Sequence, residues 1–186
     1  MSRMRRRIAL LWSLALWAAC SPVIAADIDN LLALVAERNA LGDQVALSKW
    51  DSGKPVLDAV REAAVLEHVR TEAAARGLDA DTAARFFAAQ IEANKLVQYQ
   101  LLQAWRVRGR APSLPRPDLA ALRVRLDRLE GELLATLART EALRAAPDCP
   151  SVVSARLDAY AAAHRLDTLH RLALARGLGD ICVVGR

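Results

Sequence analysis

Along most of this chain apolar residues recur at intervals of three and four, the spacing of one helix face. The clearest case is the stretch 86–105, FFAAQIEANKLVQYQLLQAW. In it Phe87, Ile91, Asn94, Gln98, Leu101 and Trp105 form one stripe. Apolar residues hold the ends of that stripe and two neutral amides hold its middle. A buried amide without a partner costs a few kcal/mol. Asn94 and Gln98 are therefore either a satisfied core network or the polar lining of a ligand cavity.

The same periodicity gives a first helix over about 27–50, with Leu31, Val35, Arg38, Val45 and Lys49 on one face. Residues 51–55 read as a turn, with Pro55 close to the start of a second helix that ends near Arg76 and is capped by Gly77. Asp79 and Asp81 offer caps to a third helix that runs to about Arg106. Gly109, Pro112, Pro115 and Pro117 mark a short linker. Asp118 opens a leucine-rich helix buried through Leu119, Leu122, Leu126, Leu129, Leu133 and Leu137, with Arg123 at the margin. Pro147, Cys149 and Pro150 break the chain before a last helix over about 151–176, followed by Gly177 and a tail holding Cys182. Alternating strand patterns of useful length are absent. The expectation is an all-α, single-domain bundle of about five to six helices.

The first residues are of another kind. Arg3, Arg5, Arg6 and Arg7 precede the apolar run IALLWSLALWAAC, and small residues follow, ending in Val23-Ile24-Ala25. This is the layout of a secretory signal peptide over 1–25, with cleavage after Ala25 or Ala26. The apolar run falls short of the roughly 20 residues a membrane span needs. Cys20 offers a lipoprotein alternative, although Trp17 stands where such signals usually carry Leu. The mature domain is then 26–186, with no membrane segment.

Export changes the charge as well. All four leader charges are Arg, so the 26 basic and 21 acidic side chains of the chain become 22 and 21. A near-neutral mature protein has no bulk case for binding nucleic acid or another polyanion. Of the three cysteines, Cys20 leaves with the leader or is lipidated. Cys149 and Cys182 remain as a pair, expected to form a disulfide in an oxidising compartment. The alternative is two free buried thiols.

Several charged positions interrupt apolar faces. Arg38 and Lys49 are eleven residues apart, roughly 16 Å along a helix axis. They either lean onto one small anion or snorkel, stems on apolar surface and charges in water. Asp58, Arg61 and Glu62 share one side of the second helix, as a solvated ion-pair cluster or as part of a site. His68, His164 and His170 are scattered without metal-ligand spacing, and Arg165 and Asp167 join them in a charged, solvated face. The chain has no glycine-rich phosphate loop, nucleophile elbow or CxxC.

Taken in order, ER…VALSKW (37–50), DAVRE (58–62), FFAAQIEANKLVQY (86–99) and PDLAALR (117–123) resemble the exported subclass of all-helical chorismate mutases. The likeness spans nearly the whole mature chain and includes the late cysteine pair. It implies a chorismate mutase type II-like fold and a rearrangement of chorismate to prephenate with no cofactor and no metal. By this resemblance Arg38, Arg61 and Arg123 are the carboxylate clamps, and Lys49 and Gln98 are donors to the ether oxygen. Glu62 accepts the substrate hydroxyl, and Asp58 and Asn94 line the site. Some family members carry a hydroxyl residue in place of Asn94, and some carry Glu in place of Gln98. Here Gln98 donates without needing a proton. The resemblance further implies a periplasmic or secreted homodimer, each active site within one chain and most of it from residues 30–125. The last helices are then scaffold and interface. The reading from another class is a catalytically silent periplasmic helical adaptor that kept the fold.

Overall fold

The computed structural model describes residues 22–183. Cys20 and all but the last four residues of the expected leader lie outside the described residues. Among the described residues the chain forms seven helices and no strand. They are α1 (Pro22–Ser52), α2 (Ala59–Ala75), α3 (Ala80–Arg108), α4 (Leu119–Arg139), α5 (Glu141–Ala145), α6 (Cys149–Ala163) and α7 (Thr168–Leu178). The linker near Pro112 remains non-helical, as its prolines require.

Helix starts follow the aspartates. The Asp79 carboxylate accepts from the Thr82 backbone N–H at 2.7 Å and opens α3. Asp118 accepts from Ala120 N–H at 2.9 Å and opens α4. Each satisfies one of the N–H groups that a helix leaves unpaired. At the end of α2, Gly77 takes φ +71°, and Leu78 N–H returns to the Ala73 carbonyl at 3.0 Å. That left-handed turn suits a residue without a Cβ.

Two expectations need correction. The second helix begins at Ala59, four residues beyond Pro55, because Asp58 is its N-cap and accepts from Arg61 N–H at 3.1 Å. The last helix is two helices, and with the short α5 this raises the count above five to six. The chain breaks at Arg165, a non-glycine residue at φ +52°, and Asp167 then caps α7 through His170 N–H at 2.8 Å. The break turns Leu166 toward the core cluster and lays α7 against α3 and α1.

The core lies where α1, α3, α4 and α7 meet. Ile28, Leu31, Leu32 and Val35 from α1 pack with Phe86 and Phe87, with Leu129, Leu133, Leu134 and Leu137, and with Leu174. The predicted leucine face of α4 is thus buried at Leu122, Leu129, Leu133 and Leu137, and Leu126 packs against it. Each such side chain contributes roughly 1.5–3 kcal/mol through burial. Near the C-terminal ends of α1 and α3 a smaller cluster joins Leu47, Val56, Leu102 and Trp105, with Trp50 edge-on to Trp105. Helices α1 and α3 approach closely at Gly42, where a Cβ would stand 3.2 Å from the Asn94 amide nitrogen and from Val97. Cys149 and Cys182 form the expected disulfide, with Cα atoms 5.8 Å apart, and it ties the tail to the first turn of α6.

Candidate active site

Four helices wall one cavity of about 240 Å³. All eight residues singled out as a site line it: Arg38 and Lys49, Asp58, Arg61 and Glu62, Asn94 and Gln98, and Arg123. Residues separated by as many as 85 positions meet there because α1 and α3 pack directly and α4 crosses back over α1 and α2. Val45, Val65, Ile91, Leu122 and Leu126 supply apolar lining between the polar groups. The lining contains no serine, cysteine or histidine. Among the described residues, α5–α7 contribute nothing to it.

The two amides form a hydrogen-bonded relay, and both also line the cavity. Asn94 donates its amide N–H to the Arg38 carbonyl at 3.0 Å, and Gln98 donates to the Asn94 side-chain oxygen at 2.7 Å. One relay thus fixes both side chains to the backbone of α1. The Gln98 oxygen is buried with no hydrogen-bond partner among the described residues. The side-chain oxygens of Asn39 and Gln90, outside the cavity lining, are likewise buried without a partner among the described residues, so the cavity position of Gln98 sets it apart and the free oxygen does not.

Arg38 neither points to water nor pairs tightly. It donates to the Gln90 carbonyl at 2.8 Å, leaving donors of its fork for a ligand. Burial lowers its pKa to about 10, against the pull of Glu130, so it stays charged at neutral pH. Lys49 reaches over the loop after α1 and donates to the Pro55 and Val56 carbonyls, the latter at 3.3 Å. Burial presses its pKa down, while Asp58 and Glu62 push it up. An ammonium has three N–H donors, so one remains. Arg61 and Arg123 are exposed at the rim and make no ion pair among the described residues.

Three charged lining residues escape the sequence reading: Lys95, Asp127 and Glu130. Lys95 bonds to Glu62 at 3.0 Å and to Glu92 at 2.7 Å. Glu130 faces His68 at 3.4 Å, and its pKa is raised by burial, against His68 and Arg38. The helical register that found Gln98 also reaches them. Ile91, Lys95 and Gln98 are spaced i, i+4, i+7, as are Arg123, Asp127 and Glu130. The cavity therefore gathers five cations against four acids, with the two at its mouth in no ion pair among the described residues. A larger groove of about 770 Å³ between α6 and α7 is mostly apolar, and its Arg171 is already paired with Asp158 at 2.7 Å.

Fold and site together define an all-helical protein with a small, cation-rimmed cavity lined by hydrogen-bonded neutral amides. Residues 26–99 match the family model described as chorismate mutase type II. The chain is 30% identical over 155 residues to the secreted chorismate mutase of Mycobacterium tuberculosis, covering 82% of this chain and 77% of that relative. It is 30% identical over 159 residues to the secreted chorismate mutase of Mycolicibacterium smegmatis, covering 84% and 88%. The crystal structure of chorismate mutase from Burkholderia phymatum superposes with a TM-score of 0.82 at 43% identity, covering 86% of this chain and 99% of that one. This chain belongs to the chorismate mutase type II family.

Proposed function

We propose that the cavity binds chorismate and that its residues catalyse the rearrangement to prephenate in the roles the resemblance assigns them. The observation that carries this reading is the convergence of all eight residues, from four elements, on one cavity. Chorismate is a small dianion that rearranges within one molecule, so no bond to the protein is needed. Catalysis comes from holding the compact conformer and from stabilising charge that grows as the ether C–O bond breaks.

The cations fit the first task. Arg38 from the interior and Arg61 and Arg123 from the rim clamp the two carboxylates through planar, bidentate forks. The third N–H of Lys49 and the free amide N–H of Gln98 fit the second. Both are held in advance, Lys49 by the Pro55 and Val56 carbonyls and Gln98 by Asn94. Donors that need no reorganisation favour the transition state over the substrate. Glu62 accepts the substrate hydroxyl. Asp58 keeps the first turn of α2, and with it Arg61, at the cavity edge.

We further propose that the chain is exported and cleaved after Ala25 or Ala26. The leader pattern, the secreted relatives and a disulfide suited to an oxidising compartment support this. A homodimer built through the C-terminal helices would leave each cavity within one chain, and light scattering at low concentration tests it. For the activity itself, purified protein is mixed with chorismate and the fall in ultraviolet absorbance is followed. A wild-type rate equal to the uncatalysed rate refutes the reading.

A further inference from the structure

We propose that Lys95 is a positioning residue, holding Glu62 so that one carboxylate oxygen faces the substrate hydroxyl. The inference rests on the reading of the cavity as a chorismate site with Glu62 as hydroxyl acceptor. A carboxylate placed beside a dianionic substrate is repelled by it unless a cation offsets its charge. Lys49, Arg38, Arg61 and Arg123 are committed to the substrate in that reading. Lys95 is the remaining cation of the lining, and it touches Glu62 directly at 3.0 Å.

The geometry suits holding more than binding. The Lys95 side chain is 13% exposed, and its ammonium lies between Glu62 and Glu92, which bonds to it at 2.7 Å from one turn earlier on α3. Glu92 fixes the ammonium from the outer side and aims it at α2. The pairing occupies one Glu62 oxygen. The other meets only the Asp58 backbone N–H, at 3.5 Å, and is available as an acceptor. Burial opposes the charge on Lys95, but its bonds to Glu92 and Glu62 outweigh this and raise its pKa. The pair thus presents an acceptor oxygen to the substrate while the Lys95 ammonium offsets the Glu62 charge beside it.

The test is a double-mutant cycle on chorismate turnover, with Lys95→Met, Glu62→Gln, the double variant and Lys95→Arg. Gln at 62 keeps an acceptor oxygen, so residual rates remain measurable. Lys95→Met is expected to lower kcat/KM roughly tenfold, mostly in kcat, because a displaced acceptor acts on the reacting geometry. Lys95→Arg restores most of the loss. In the Glu62→Gln background the Lys95→Met exchange changes kcat/KM less than about twofold. An equal loss in both backgrounds overturns the proposal, since Lys95 then acts on the substrate or the fold by itself. Unchanged kinetics in Lys95→Met overturns it too. Should circular dichroism show Lys95→Met misfolded, Lys95→Gln runs the same cycle. An inactive wild type removes the mutase reading and this proposal together, whereas a harmless Glu62→Gln in an active enzyme removes this proposal alone.

Discussion

Replacing Gln98 by Glu changes almost nothing in size and nearly everything in hydrogen bonding. In the structure the Gln98 amide donates to Asn94 at 2.7 Å, while Asn94 is committed to the Arg38 carbonyl. Asn94 therefore presents only an acceptor to position 98. A carboxylate there would set two acceptors against each other in a site 5% exposed, whereas the protonated acid restores a donor. A free Glu titrates near 4.3; burial raises that value and Lys49 lowers it. A carboxyl titrating between about 5.5 and 6.5 is protonated in roughly 1–10% of molecules at pH 7.5 and in most of them at pH 5. Gln98→Glu should therefore lose roughly 10- to 100-fold in kcat/KM at pH 7.5 and regain most of it at pH 5. Gln98→Ala should stay poor throughout, because no donor remains. The assay is the pH profile of chorismate turnover for the three proteins, each checked for helix content. A Gln98→Glu profile that overlays the wild type near neutrality would show that Gln98 does not face the ether oxygen.

Arg123→Ala, at an exposed rim position, should lose roughly 10- to 150-fold in kcat/KM with Tm unchanged, the worth of one charge-assisted contact of about 1.5–3 kcal/mol. Arg38→Ala should lose at least as much and also some stability, since Arg38 is bonded to Gln90 inside the protein; kinetics alongside thermal melts separate the two effects. His170 bonds to Asp43 at 3.2 Å and to Asp167 at 2.9 Å, and the Asp43 bond foremost raises its pKa to about 9. Its stabilising charge is fully present below the unfolded value near 6.5 and is lost as pH climbs through about 9; this is worth about 1–2 kcal/mol after solvent screening. Urea unfolding between those limits should show that decline in the wild type and not in His170→Gln. Reducing Cys149–Cys182, which closes a loop of 33 residues, should cost about 3–4 kcal/mol in the same assay. Thiol labelling of the intact protein should find neither cysteine free.

Much of the site was legible because helical register is local. Arg38 and Lys49 share a face whatever packs against it, and so do Asn94 and Gln98. The register also reaches Lys95 and Glu130, but a charge at the margin of an apolar face carries no signal until a partner element covers it. Tertiary pairings were hidden for the same reason. His170 and Asp43 are 127 residues apart, and nothing periodic links them; His170 read as solvated when it is an interhelical tie. The break between α6 and α7 contains neither glycine nor proline. Its only local mark is Asp167 three residues before His170, a cap that carries weight once Leu166 has somewhere to be buried.

The route by which α4 reaches the cavity has a consequence for how the enzyme is assembled. The exposed segment around Pro112 and Pro115 is held by Ala111, which packs against the cluster of Leu47, Leu102 and Trp105, and by Arg116, which grips Asp51 at the end of α1 through two bonds of 2.6 and 3.0 Å. Ahead of it lie seven of the eight proposed site residues; beyond it lies Arg123 alone, with the helices that carry the disulfide. The segment is thus a tether that delivers the last of the proposed site residues at a high effective concentration. A chain cut there becomes two pieces, neither holding a whole site, yet still joined by the packing of α4 on α1 and of α7 on α3. On dilution, the turnover of such a nicked enzyme would fall with the concentration of its own halves, and catalysis would become a readout of complementation.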